Sequence, residues 1–392
     1  MERIGIYGGS FHPPHIGHVR AARYALDALG LHSLLMMPSC TAPHKPIEGA
    51  TPRQRLEMLA RSVAGEERIQ VSDLELRRGG VSYTYETLQE LRKRYPDGEL
   101  ILCMGTDMFL CVDHWRQPES IFSNASLAVF CRGQRGEKKE ILQKKAELEA
   151  LGATVYLLDN PVTQIASTDL RRMAAFGCAD PFLAEGVADY IRQNRLYGAG
   201  CDYKNLPMDE LETVVVGLLK PNRVEHVLGC RDTAAQLARI WGANEEDAAR
   251  AGLLHDITKA LDGPLQLTLC SEYGIMLDAF SQKNPKTLHA LTGSLVAERI
   301  FGENAAVVSA IASHTTGKAN MNTLEKIIYV ADYMEPNRDF PGVEELRSLA
   351  YTNIDNALKL GLEMTLSMLK EQGREISHES REALAFLQQS GV

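Results

Sequence analysis

The sequence has no CxxC pair among its eight cysteines, which lie scattered through 392 residues. Neither a disulfide framework nor a thiolate zinc site is expected, and the thiols read as reduced. It also lacks any stretch near the roughly 20 consecutive apolar residues of a membrane span, so an integral membrane protein is not expected. No basic, apolar and small-residue leader precedes the strand-like Arg3-Ile4-Gly5-Ile6-Tyr7, and the chain therefore reads as cytoplasmic. A broad basic face is missing too. The only dense run, Arg132 to Lys145, also holds acids and reads as solvated surface, so neither nucleic acid nor membrane is an expected partner.

What is present is the ordinary mixture of a soluble globular protein, 45% hydrophobic and 24% charged. Its length points to two domains or one large one. The net charge of −9 divides unevenly: residues 1–200 carry 24 Lys/Arg and 24 Asp/Glu, residues 201–392 carry 18 and 27. The two halves also differ in pattern. In the first, Ile4–Tyr7, Leu34–Met37, Leu100–Met104, Leu127–Phe130 and Thr154–Leu158 read as strands. Gly17–Leu29, Pro52–Ala64, Thr84–Tyr95 and Lys138–Leu151 read as helices between them. That alternation implies a parallel α/β sheet, Rossmann-like, with ligands bound beyond the carboxyl ends of its strands. After Gly198-Ala199-Gly200 strand-like runs almost vanish. Val224–Trp241, Glu245–Leu261, Leu288–Phe301, Thr323–Met334 and Ile354–Lys370 carry apolar residues at helical spacing, which predicts an all-α second domain beginning near 198–208.

Directly after the first strand stands Gly8-Gly9-Ser10-Phe11-His12-Pro13-Pro14-His15-Ile16-Gly17-His18, opening into a helix. Glycines let backbone N–H groups approach a ligand, and a helix amino terminus favours an anion. His15 and His18 sit three apart on one helical face, where two imidazoles can steady charge on phosphate oxygens. This stretch resembles the signature of the HxGH nucleotidyltransferases, and further motifs narrow the resemblance to bacterial nicotinate-mononucleotide adenylyltransferases. They are Pro43-His44-Lys45, Ser82-Tyr83-Thr84-Tyr85, Gly105-Thr106-Asp107, His114-Trp115-Arg116, and Ile165-Ala166-Ser167-Thr168-Asp169-Leu170-Arg171. The last is similar to the family's ISSTxIR phosphate motif, with Ala166 in place of its first serine.

The resemblance implies adenylyl transfer from ATP, accompanied by Mg²⁺, to nicotinate mononucleotide, a step of NAD biosynthesis. It assigns His15, His18, Lys45 and Arg171 to catalysis. Gly8, Gly9, Ser10, Phe11, Thr84, Gly105, Asp107, Trp115, Arg116, Ser167 and Thr168 fall to substrate binding. Trp115 is either a packing aromatic or a platform for the pyridine ring, and Asp107 either binds nucleotide or caps a helix. Thr84 reads as an N-cap whose backbone also faces the nicotinate carboxylate.

The second half has four histidines and two aspartates in order: His226, His255-Asp256, His289, His314, Asp332. All stand beside apolar residues of helical segments, so each should point to the bundle interior. Imidazole and carboxylate without thiolate suit iron, manganese or a similar divalent ion, which activates water toward phosphate esters. The order resembles the HD-domain metal-dependent phosphohydrolases. With His314-Thr315 and Ala331-Asp332-Tyr333-Met334-Glu335-Pro336 it is similar to the YqeK-type symmetrical diadenosine tetraphosphate hydrolases. That resemblance implies His226, His255, Asp256 and Asp332 as metal ligands. It leaves His289, His314 and Thr315 for a second metal or substrate phosphate. Arg223 and Lys259, one helical turn from His226 and His255, are either phosphate-binding cations or surface charge.

The expected whole is a bifunctional enzyme with domains at 1–198 and 209–392 joined by a linker at 199–208. Its partners are the small nucleotides ATP, nicotinate mononucleotide and diadenosine tetraphosphate. The sequence leaves open a homo-oligomer, a different acceptor in the first domain, and a second domain that hydrolyses another nucleotide or only senses one.

Overall fold

The computed structural model describes residues 2–41, 49–131, 137–161 and 165–391. The chain divides into two compact units, Met1–Cys201 and Asp202–Val392.

The first unit is built on six parallel strands: β1 (Arg3–Gly9), β2 (Ser33–Pro38), β3 (Ile69–Val71), β4 (Glu99–Gly105), β5 (Ser126–Phe130) and β6 (Val155–Leu158). Their order is β3-β2-β1-β4-β5-β6. The apolar runs are buried on both faces, as parallel strands between helical layers require, with Leu34, Met36, Leu127 and Val129 wholly enclosed. The chain starts at β1, builds outward to β3, and then crosses to β4 on β1's other side, so the order reverses between β1 and β4. Loops leaving the carboxyl ends of those two strands flank a natural ligand crevice. The α/β expectation holds. β3 has only three residues, too short to carry a readable period, and was not anticipated.

The second unit is helical. The helix Val224–Trp241 stops where Gly242 takes a left-handed conformation, φ 71°. Thr323–Met334 begins at a reciprocal cap: Asn322 Oδ1 accepts from Glu325 N at 3.0 Å, and Glu325 Oε2 accepts from Asn322 N at 2.9 Å. One expected helix is too long. Glu245–Leu254 ends where Glu245–Leu261 was expected to continue. Beyond it, Ile257, Lys259 and Leu261 donate to carbonyls three residues back. The polar side chains explain the stop. Thr258 Oγ1 donates to the carbonyl of His289, and Gln266 Nε2 donates to the carbonyl of Thr258, so this backbone is tied to neighbouring segments rather than to its own helix. His255 and Asp256 therefore sit at a helix exit. Among the described residues no helix is long and apolar enough to cross a membrane.

Candidate phosphate loop and candidate metal centre

In the first unit the loop after β1 leads into the helix Ile16–Ala28. His15 caps that helix and His18 lies in its first turn, with ring centroids 3.6 Å apart. The backbone N–H of His15 donates to His18 Nδ1 at 3.1 Å. His18 therefore keeps its own proton on Nε2, where it can be given to a phosphate oxygen. Burial pushes His15 down to about 4, and burial with the neighbouring imidazole holds His18 well below its ordinary value. Both are neutral donors near pH 7. Phe11, at φ 45°, turns its ring edge toward His18 with centroids 5.1 Å apart. A Cβ on Gly8 would meet nothing within 4 Å, so that backbone faces open space.

The second motif is brought onto the first. Ser167 Oγ donates to the carbonyl of Pro13 at 2.9 Å, and Arg171 donates to the carbonyl of His12 at 2.8 Å and to Thr168 Oγ1 at 3.1 Å. Ala166 is the N-cap of the helix Ser167–Ala175 and offers no capping side chain, so the first N–H groups there lose one acceptor. A further cation escaped the sequence reading. Arg55 is fully buried and donates to the carbonyls of Ser10 at 2.8 Å, Ser39 at 2.6 Å and Cys40 at 3.0 Å, stapling the loop to the end of β2. Only its place on the buried face of Pro52–Ser62 could have signalled it.

A second group of expected residues lies together near the start of the helix Thr84–Arg94. Arg116 is exposed and rests over the ring of Tyr83, 4.7 Å from its centroid, which joins the Trp115-Arg116 loop to this helix start. Tyr83, not Thr84, is the N-cap, and its side chain caps nothing; Thr84 is the first helical residue. Trp115 is half-buried against the core, with Nε1 enclosed and without a hydrogen-bond partner among the described residues. Gly105, not Asp107, caps the short helix Thr106–Phe109, and Asp107 is exposed in its first turn. Lys45, with Pro43 and His44, lies outside the described residues, as does part of the Arg132–Lys145 run.

In the second unit, all six residues of the ordered series converge. His226 Nε2 lies 3.2 Å from His255 Nε2 and 3.2 Å from Asp332 Oδ1. His289 Nε2 lies 3.2 Å from His314 Nε2. Asp256 joins the two pairs: Oδ2 is 3.6 Å from His255 and 3.8 Å from His226, while Oδ1 is 3.4 Å from His289 and 3.8 Å from His314. Thr315 Oγ1 reaches His289 and His314 at 3.3 and 3.2 Å. Outside this ring each imidazole is fixed through Nδ1. His255 donates to the carbonyl of Gly252 at 2.7 Å, His314 to Ile311 at 2.7 Å, His289 to Lys286 at 2.8 Å, and His226 to Glu335 Oε1 at 3.0 Å. Since carbonyls only accept, the protons sit on Nδ1, and the Nε2 lone pairs all point inward.

That donor set fits divalent cations. Burial brings His255 down to about 4 and His289 to about 3, keeping them neutral. Burial alone would raise Asp256 and Asp332, but the nearby cations, Lys259 beside Asp256 and Arg338 beside Asp332, help hold both carboxyls well below their usual range. Nitrogen lone pairs and carboxylates crowded in a buried space repel one another unless a cation lies between them. Two groups meet the spacing for an ion, His226/His255/Asp332 and His255/Asp256/His314. Arg223 pairs with Asp256, and Lys259 donates to His289 Nε2 at 2.8 Å.

Comparison with known proteins follows the same division. A cytidylyltransferase-like family matches residues 6–173, and the HD domain family matches residues 223–337. A probable nicotinate-nucleotide adenylyltransferase of Synechococcus sp. is 38% identical over 199 residues, half of this chain and 95% of the relative. Another, of Symbiobacterium thermophilum, is 36% identical over 204 residues, 51% of this chain and 97% of the relative. The chain belongs to the nicotinate-nucleotide adenylyltransferase family. An HD domain follows the part that matches those adenylyltransferases. A solved structure of a predicted HD superfamily hydrolase involved in NAD metabolism, from Clostridium acetobutylicum, is 36% identical and covers 47% of this chain and 98% of its own, with a TM-score of 0.46.

The HD domain holds two residues to which the sequence motifs gave no role, Glu335 and Arg338. Glu335 is 1% exposed and accepts from His226 and from Asn337. A Cβ on Gly229 would stand 2.5 Å from its Oε2, so glycine is what admits the carboxylate to that helix. The available signal was spacing: Glu335 follows Asp332 by three residues, just past the end of the helix Thr323–Met334.

Proposed function

We propose that the chain is a bifunctional enzyme. Residues 1–198 transfer the adenylyl group of ATP to nicotinate mononucleotide, giving deamido-NAD and pyrophosphate. Residues 209–392, after a linker at 199–208, hydrolyse diadenosine tetraphosphate to two ADP. The observation that carries the first activity is the pair of neutral imidazoles at a helix start, braced by Ser167 and Arg171, in a half-chain 36–38% identical to two adenylyltransferases.

In the first reaction a phosphate oxygen of the acceptor attacks the α-phosphorus of ATP in line, and the bond to pyrophosphate breaks on the far side. His18 donates from Nε2 to an oxygen of the reacting phosphate, and His15 stands beside it. Ser167, Thr168 and Arg171 hold the β- and γ-phosphates at the start of their helix, with Lys45 and Mg²⁺ sharing the charge. Gly8, Gly9, Ser10 and Phe11 shape the loop, while Gly105 and Asp107 meet the nucleotide. Trp115 stacks on the pyridine ring, Thr84 offers its N–H to the nicotinate carboxylate, and Arg116 stands alongside. Trp115→Ala should raise KM for nicotinate mononucleotide about tenfold and leave KM for ATP unchanged. Equal KM values for the acceptor would remove Trp115 from the site. A wild type that adenylylates another phosphate acceptor instead would discard nicotinate mononucleotide.

For the second reaction, the carrying observation is the convergence of four Nε2 atoms and two carboxylates. Iron or manganese held by His226, His255, Asp256 and Asp332, with His289 and His314 toward a second ion or phosphate, would lower the pKa of water and neutralise phosphoryl oxygens. The chain's own groups orient that set through Nδ1 and exclude bulk water from it. Arg223, Lys259 and Thr315 face the substrate phosphates. Incubating the manganese-loaded chain with diadenosine tetraphosphate should give ADP alone; ATP with AMP as products would overturn symmetrical cleavage.

A further inference from the structure

Three cations stand against the row of histidine and carboxylate atoms, each touching a different member of it. Arg338 donates to Asp332 Oδ1 at 2.5 Å and to the Asp332 carbonyl at 2.8 Å. Arg223 donates to Asp256 Oδ2. Lys259 donates to His289 Nε2 at 2.8 Å and lies 3.9 Å from Asp256 Oδ1. The atoms they touch are themselves in order. Asp332 Oδ1 and Asp256 Oδ2 both face the His226/His255 pair, and Asp256 Oδ1 faces His289 and His314. By the atoms they touch the cations fall in the same order, Arg338 on Asp332, Arg223 on Asp256 Oδ2, and Lys259 beside Asp256 Oδ1 and His289. Their side chains are 34%, 26% and 43% exposed, whereas that of Asp256 is 2% exposed. They form a solvent-facing rim over a buried ligand set.

A strip of three cations has a length and a direction, which a single phosphate group cannot use. We propose that Arg338 is a specificity-determining residue, the end cation of a strip that binds a chain of several phosphates laid along the candidate metal centre. Dinucleoside polyphosphates are then selected by how many phosphates they carry. This rests on the hydrolase reading given above and adds to it a substrate feature and a residue. The turn carrying Arg338 is fixed on both sides: Arg338 N donates to the Glu335 carbonyl at 2.9 Å, and Arg347 donates to the carbonyls of Arg338 at 2.9 Å and Glu335 at 3.0 Å. A guanidinium has five N–H donors in a rigid fork, so Asp332 leaves donors over for phosphate, and little ordering cost remains when it binds.

The competing role is purely structural, with Arg338 doing no more than holding the Asp332 carboxylate. The two separate in the full-length protein loaded with manganese, comparing wild type with Arg338→Ala and Arg338→Lys on diadenosine tri-, tetra- and pentaphosphate. Arg338→Ala should raise KM for the tetra- and pentaphosphates about tenfold, with a smaller rise for the triphosphate, less than threefold change in kcat, and unchanged manganese content by elemental analysis. Arg338→Lys should recover part of the loss. Affinity for inorganic tripolyphosphate, measured by calorimetry without turnover, should fall by the same tenfold. Manganese loss in step with activity, or a KM rise equal for all three chain lengths, would overturn the proposal. If the wild type cleaves none of the three, the hydrolase reading fails, and tripolyphosphate binding alone decides: a tenfold loss in Arg338→Ala keeps the cation strip, and equal affinity removes it.

Discussion

On the proposed reading, the two units handle phosphate by opposite means. In the first, the site is built on a loop whose glycines, helix start and two neutral imidazoles offer donors to an anion, with Ser167 and Arg171 brought onto it and the buried cation Arg55 held by backbone carbonyls. In the second, six side chains from separate segments bring lone pairs and negative charge together, and only the rim is cationic. A donor site binds phosphate directly. An acceptor site binds it only through a cation held between them, and this is why every imidazole there needs a partner on Nδ1 to aim it.

That contrast can be broken most sharply in the first unit. His15→Ala should lower kcat for adenylyl transfer by about a hundred- to a thousandfold, as removal of a charge-stabilising donor does, while leaving metal content unchanged. A loss confined to KM would make His15 a binding group only. In the second unit Asp256→Ala, which removes the carboxylate shared by both histidine pairs, should weaken metal binding more than about a hundredfold and abolish phosphohydrolysis, with adenylyl transfer retained. Metal retained at full occupancy would refute the shared-carboxylate arrangement. Glu335→Gln is gentler, because the amide can still accept from His226. It should lower metal affinity about tenfold, and an unchanged affinity would show that His226 needs no charged partner.

The smallest expected effect is on stability. His15 is pushed down to about 4 by burial, so it stays neutral in the fold while the unfolded chain takes up a proton near 6.5. Its contribution to stability is largely present above pH 6.5 and is lost as pH falls toward 4, by about 1.6 kcal/mol between 6.5 and 5. Urea unfolding at those two pH values should show that loss in the wild type and a smaller one in His15→Asn. Equal losses would place the proton uptake elsewhere.

The same contrast governs what could be seen in the sequence. Glycines, HxGH and the strand before them are adjacent in the chain, so the loop announces itself, and the parallel sheet follows from runs such as Leu34–Met37 and Leu127–Phe130. The candidate metal centre was legible only as an order of residues spread from His226 to Asp332. Its aiming partners were not, because a carbonyl such as that of Gly252 has no letter of its own. Glu335 touches His226 and Asn337, and Arg338 touches Asp332, and nothing in their local pattern marks those neighbours. The overlong helix at Glu245–Leu261 failed for a related reason: Thr258 and Gln266 satisfy backbone groups across segments, and helical spacing of apolar residues does not register such bonds.

The most direct test of the central claim, that one chain joins a donor site and an acceptor site for phosphate, is a paired assay on the full-length protein with and without a chelator. Adenylyl transfer to nicotinate mononucleotide would be measured with Mg²⁺ restored, and release of ADP from diadenosine tetraphosphate with manganese withheld or restored. The account predicts that Mg²⁺ alone restores the first reaction, and that the second returns only when manganese is supplied and is lost in Asp256→Ala. ADP release at full rate from Asp256→Ala, or from chelated wild type, would contradict it.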